Sequence, residues 1–137
     1  MGTVYAEITI KNAGDLARAR GKPINEQSVR EARVSALVDT GAMTLVIGED
    51  LCGELGLEIQ DSTEVTLANN AVEICKRAEP VEIHWKQRKS VCCPWVLPGS
   101  DEVLLGAIPL EDMDLIVDPK KLEITGRHGE KQMGRLY

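Results

Sequence analysis

Hydrophobic and polar residues alternate at the start of the chain. Val4, Ala6, Ile8 and Ile10 fall on one side, Tyr5, Glu7, Thr9 and Lys11 on the other. A period of two predicts a strand buried on one face. Residues 12–30, NAGDLARARGKPINEQSVR, lose this alternation, and their polar residues, Gly and Pro predict a long connection with one helical turn. Residues 31–39 are predicted as a strand that ends on a charge, Asp39. In GEDLCGELGLEI, the spacing of Leu51, Leu55 and Ile59 predicts a short helix punctuated by Gly53 and Gly56. STEVTLANNAVEICKR predicts a hairpin, because two strand-like segments flank Ala68-Asn69-Asn70 and asparagine tolerates a left-handed turn. PVEIHWKQRKSVCCPWVLP predicts a second hairpin, with a polar turn over 86–89 and Trp85 facing Trp95 across it. EVLLGAIPLEDMDLIVD reads as a strand, a glycine and a short helix starting near Pro109. LIVDPKKLEI reads as two short strands around Asp118-Pro119. So many short strands predict an all-β barrel or sandwich spanning 1–125, followed by a polar, mobile tail over 126–137.

Composition narrows this picture. A chain of 137 residues, 43% hydrophobic, suits one domain with a packed core. With no Phe, two Trp and two Tyr, that core must be aliphatic, which suits strands. The net charge of -6 argues against a nucleic-acid partner, and the short basic clusters in LARARGKP and HWKQRKS read as solvated loops. No basic-then-apolar leader and no membrane-length apolar run is visible, and Ala6 breaks the myristoylation pattern that Met1-Gly2 could begin. A cytoplasmic location without membrane contact is the expectation. Cys52, Cys75, Cys92 and Cys93 match no zinc spacing and read as reduced thiols used as small hydrophobes. His84 and His128 alone define no metal site, so no metal and no cofactor are expected.

The chemistry centres on ALVDTGAMTLVI, residues 36–47, where an apolar run ends on Asp39 and Thr40, Gly41 and Ala42 follow. Asp and Gly are ordinary turn residues, so a plain turn is one reading. A strand followed by Asp and Thr-Gly also suits phosphoryl transfer, but that chemistry needs alternating helices and strands and further carboxylates for Mg²⁺. The third reading joins two segments. LVDTGA at 37–42 resembles the active-site signature of the aspartic proteases, and LLGAIPLEDM at 104–113 resembles their second element, two hydrophobic residues and a glycine leading into a helix. The order of elements is similar to that of the half-size, retropepsin-like members.

The resemblance implies a closed or nearly closed all-β barrel with one short helix, acting as a homodimeric aspartic endopeptidase on peptide or protein substrates. The chemistry needs two carboxylates sharing one proton, because like charges at such range cannot both ionise. This sequence has one Asp-Thr-Gly, so Asp39 is expected to meet Asp39 of a second copy. Thr40 is expected to bond the opposite loop, and Gly41 and Ala42 to leave room. Leu67, Ala68, Asn69, Asn70 and Ala71 would form the flap over the substrate. Leu37, Val103 and Leu104 would line the cleft, and residues 3–10 and the segment near Leu122–Ile124 would build the dimer sheet. Two departures stand out: the flap tip is LANNA rather than glycine-rich, and Met43 and Ala107 occupy positions where many retroviral members pair Asp with Arg. Both charges are missing together, so neither is left buried alone. The rival is a catalytically inactive, dimeric peptide-binding module of the same fold.

Overall fold

The computed structural model describes residues 2–133. Strand β1, Tyr5–Asn12, buries Ala6, Ile8 and Ile10 on one face, as its alternation requires. It runs antiparallel to β2, Glu31–Val38, with Tyr5 opposite Leu37 and Lys11 opposite Glu31. The connection holds helix α1, Ala13–Ala19, and a 3-10 turn, Ile24–Glu26. Asn12 caps α1, its Oδ1 accepting from the Asp15 amide at 3.0 Å, while its Nδ2 donates to the Leu55 carbonyl at 2.8 Å. Buried Asp15 accepts from the Arg30 amide, Nε and Nη2 at 3.0, 2.8 and 2.9 Å, and pairs with Arg18. The Arg30 guanidinium holds the Asp15 carboxyl far below the usual carboxylate range.

The remaining elements are β3, Leu45–Ile47, α2, Glu49–Glu54, β4, Ile59–Thr66, β5, Val72–Ala78, β6, Val81–Trp85, β7, Arg88–Cys92, β8, Trp95–Val96, β9, Leu104–Leu105, α3, Ala107–Asp112, β10, Leu115–Asp118, and β11, Glu123–Gly126. Nine strands form one sheet in the order β4-β5-β8-β3-β9-β2-β1-β6-β7, and β10-β11 pair separately. Among the described residues β4 and β7 end the sheet without pairing to each other, so its ladder is open. The expected helix after Gly106 is α3, and α1 and α2 fall in the two other segments with helical character. The core is aliphatic, with Ile10, Leu45, Ile47, Leu55, Ile83 and Leu105 fully buried. At about 25 cal/mol per Å² of apolar surface, such burial is the main favourable contribution to folding.

Two expectations change. Trp95 lies in β8 opposite Val46 and Arg77, and Trp85 stands opposite Arg88, so the two rings do not face each other. The β6–β7 turn needs only Lys86 and Gln87, with Lys86 at φ 52, which ends the hairpin before Trp95 is reached. Residues 5–11 pair with β2 and Thr9–Asn12 also with β6, so β1 lies inside the sheet.

The segment after β11 is hydrogen-bonded as far as Met133, while residues 134–137 of the expected tail lie outside the described residues. Arg127 N donates to the Asp114 carbonyl, and Gln132 Nε2 to the Lys89 and Asp112 carbonyls. His128 Nδ1 lies 2.6 Å from Asp114 Oδ2, and this contact holds the buried Asp114 carboxyl below its ordinary range.

Candidate active site

Strand β2 stops where Asp39 begins, and the backbone explains the position. The Asp39 amide donates to the Leu105 carbonyl at 3.0 Å, which extends the parallel β2–β9 pairing of Leu37 with Leu104 and Val38 with Leu105. Asp39 Oδ1 accepts from the Gly41 amide at 2.9 Å, and the Asp39 carbonyl accepts from the Ala42 amide at 3.1 Å. The carboxylate is thus held in a tight turn, half-buried, while Thr40 and Gly41 are exposed. Oδ1 takes the one hydrogen bond to the carboxylate, and Oδ2 carries none within the described residues.

The turn is clamped from the other side by α3. Ala107 N donates to the Ala42 carbonyl at 2.8 Å and Ile108 N to the Met43 carbonyl at 2.9 Å. This approach is possible because residue 106 is glycine. A Cβ there would lie 2.3 Å from the Thr44 carbonyl oxygen and 2.6 Å from that of Ala42. The LLG segment is therefore a packing requirement of the Asp39 turn. Burial pushes the Cys92 thiol up, and likewise raises Cys52 and Cys75. All four thiols are free.

A groove of about 330 Å³ opens beside Asp39 and Thr40. Leu37, Val38, Thr3, Val4 and Val117 also line it. Of the three residues expected on the cleft wall, Leu37 lines this groove, while half-buried Leu104 sits beside it in β9 and Val103 is buried with its carbonyl bonded to Leu37 N. Thr3, Val4 and Val117 were not legible as lining residues, because the segment before β1 and strand β10 reach the site through long-range packing. Met43 and Ile108, 57% and 50% exposed, flank the turn as an apolar pair.

The hairpin expected over the substrate is formed by β4 and β5, with Thr66 opposite Val72. Leu67 N donates to the Ala71 carbonyl at 2.8 Å and Asn70 N to the Leu67 carbonyl at 2.9 Å. Asn69 Oδ1 accepts from the Ala71 amide at 3.0 Å, and Asn70 adopts φ 65. Asparagine fills the left-handed position that glycine would otherwise take. Ala68, Asn69, Asn70 and Ala71 are exposed and Leu67 is half-buried. No group of three or more metal-ligating side chains occurs among the described residues, and no helix is long and apolar enough to cross a membrane.

A strand-end Asp-Thr-Gly turn, clamped by a glycine and a helix that return from late in the chain, is the arrangement of a retropepsin-like fold. Residues 25–112 match the family described as gag-polyprotein putative aspartyl protease, and the chain belongs to it. The structure is similar to the retroviral protease-like domain of Ddi1 from Leishmania major, with a TM-score of 0.54 and 14% identity over 91% of this chain and 88% of that one. It is also similar to a retropepsin-like aspartic protease from Rickettsia conorii, with a TM-score of 0.49 and 17% identity over 85% and 77%. No curated protein matches it in sequence.

Proposed function

We propose that the protein is an aspartic endopeptidase whose catalytic pair is Asp39 of one copy and Asp39 of the partner subunit. The observation that carries this reading is the Asp39 turn: one carboxylate, fixed by the Gly41 amide and by β9, beside a groove and with one oxygen free of hydrogen bonds among the described residues. A single carboxylate cannot be acid and base in one step, and a two-fold homodimer supplies the second. The exposed apolar residues Met43 and Ile108 beside the turn, and Tyr5, Ile116 and Leu122 elsewhere, support a face that a second copy covers.

In this mechanism the pair shares one proton. The ionised carboxylate takes a proton from a water, which attacks the scissile carbonyl carbon. The protonated carboxyl donates to the carbonyl oxygen, and a tetrahedral intermediate forms. Collapse expels the amine after proton return. The Thr40 side chain, exposed in the single chain, bonds the opposite turn once two copies meet. Residues 67–71 close over the peptide and exclude water. Leu37 and Leu104 favour apolar side chains near the scissile bond. The four free thiols fit a reducing, cytoplasmic setting.

The test is cleavage of a mixed peptide pool at mildly acid pH, alongside sedimentation, for the parent and for Asp39→Asn. Cleavage by the dimer, lost in Asp39→Asn, supports the proposal. A confirmed dimer that binds peptides through the β4–β5 hairpin without cutting them points instead to a non-catalytic binding module, a reading favoured by the LANNA tip.

A further inference from the structure

A second cleft, of about 610 Å³, lies between the β6–β7 turn and the end of β11. It shares no residue with the groove at Asp39. Trp85, Lys86, Arg88, Gly126 and Glu130 are among its lining residues.

Arg88 is the unusual member. It is 4% exposed, yet no carboxylate pairs with it among the described residues. Nη1 donates to the Met113 and Asp114 carbonyls at 2.8 and 2.9 Å, and Nη2 donates to the Gly129 carbonyl. Three of a guanidinium's five N–H groups are thus used, and the Nε side is left over. Carbonyl dipoles satisfy donors but do not neutralise a charge, and a buried cation without a counter-ion is costly. A Cβ on Gly126 would lie 2.2 Å from Nη2, so the glycine is what lets the guanidinium reach this wall. At the mouth, Lys86 Nζ sits 4.6 Å from the centroid of the Trp85 ring, adding a second positive charge beside an aromatic surface. Glu130 is the one acid in the lining and opposes an anion there.

We propose that this cleft is a binding site for an anionic group, a carboxylate or a phosphate, which sits on Arg88 and Lys86 while its carrier packs on Trp85. Arginine with free donors on one side presents the geometry that takes two oxygens at once. The volume suits a small molecule or the end of a peptide rather than a folded surface. The site needs neither Asp39 nor proteolysis.

The experiment is calorimetric titration of the full chain, with tryptophan fluorescence as a second readout. The probes are inorganic phosphate and one short peptide in two forms, free acid and C-terminal amide. Saturable binding of phosphate, or of the acid but not the amide, is expected, and which of the two binds identifies the source of the anion. Arg88→Gln should remove binding, but it also removes three structural bonds. Two surface changes therefore carry the decision. Lys86→Gln should weaken binding about two- to fivefold, and Glu130→Gln should tighten it by a similar factor. Asp39→Asn should leave it unchanged. The proposal is overturned if neither anion saturates, if acid and amide bind alike, if both surface variants bind as the parent does, or if Asp39→Asn removes binding.

Discussion

Gly106 has no room for a side chain, and that makes it a sensitive position beside the acid itself. Its φ of -90 is ordinary, so crowding rather than backbone strain is what excludes alanine. In Gly106→Ala the new methyl would press on backbone atoms of residues 42 and 44, which cannot swing aside as a side chain would. The expected cost is about 1–3 kcal/mol, read as a lower melting temperature, with peptide cleavage falling further than stability because the Asp39 turn is displaced. Asp39→Asn should behave oppositely. The amide oxygen can still accept from Gly41 N–H, so stability should change by no more than about 0.5 kcal/mol. Cleavage should vanish, because an amide cannot take a proton from water. Thermal melting and a cleavage assay on the two variants separate the roles, and an Asp39→Asn protein that cuts as fast as the parent would end the proposed mechanism.

At the scale of elements, the crossover from β1 to β2 is held by one carboxylate. Asp15 is bound by Arg30 through three donors and by Arg18, and its folded pKa is depressed. A depressed carboxylate stabilises the fold fully above its unfolded value, near about 3.9, and the contribution is lost as pH falls toward the folded value. Asp15→Asn should therefore melt well below the parent at pH 7, and the gap should narrow below about pH 4. A gap that stays constant through this range would mean that packing, not charge, holds the crossover. Much of the element order was legible because it is written locally. The alternation of β1, the asparagines between β4 and β5, and the glycine before α3 each state their own geometry. The rest depends on distant pairing. Two-residue strands such as β8 and β9 have no periodicity to read, and nothing near Trp95 says that its neighbours are Val46 and Arg77. The same limit applies at the site. Asp39 and its clamp were readable from LVDTGA and LLG, whereas Val4 and Val117 reach the groove only through tertiary packing. Arg88 sat in a basic cluster that looked solvated, and only the packing of Met113, Asp114 and Gly129 around it makes it a buried group.

For the whole molecule, the proposed pairing of two copies makes activity a function of concentration. Specific activity should rise with protein concentration through the dimer dissociation constant and then level off. Mixing parent with Asp39→Asn chains should depress activity beyond simple dilution, since mixed dimers hold one carboxylate. Full specific activity in a sample shown by sedimentation to be monomeric would exclude a shared site. Cleavage should peak at acid to mildly acid pH, where the pair holds one proton. The sheet order carries a further consequence, in time rather than space. Strands β2 and β3, which bracket Asp39, do not touch as neighbours; β9 lies between them, parallel to one and antiparallel to the other. The acid therefore has no fixed seat until residues 104–107 have been made and have folded back onto a turn that lies far earlier in the chain. Closing so long a loop is a late and slow event in folding. A ribosome-bound chain that displays its Asp-Thr-Gly before residues 104–107 have emerged carries no organised turn around it, and the proposed activity waits on that distant segment.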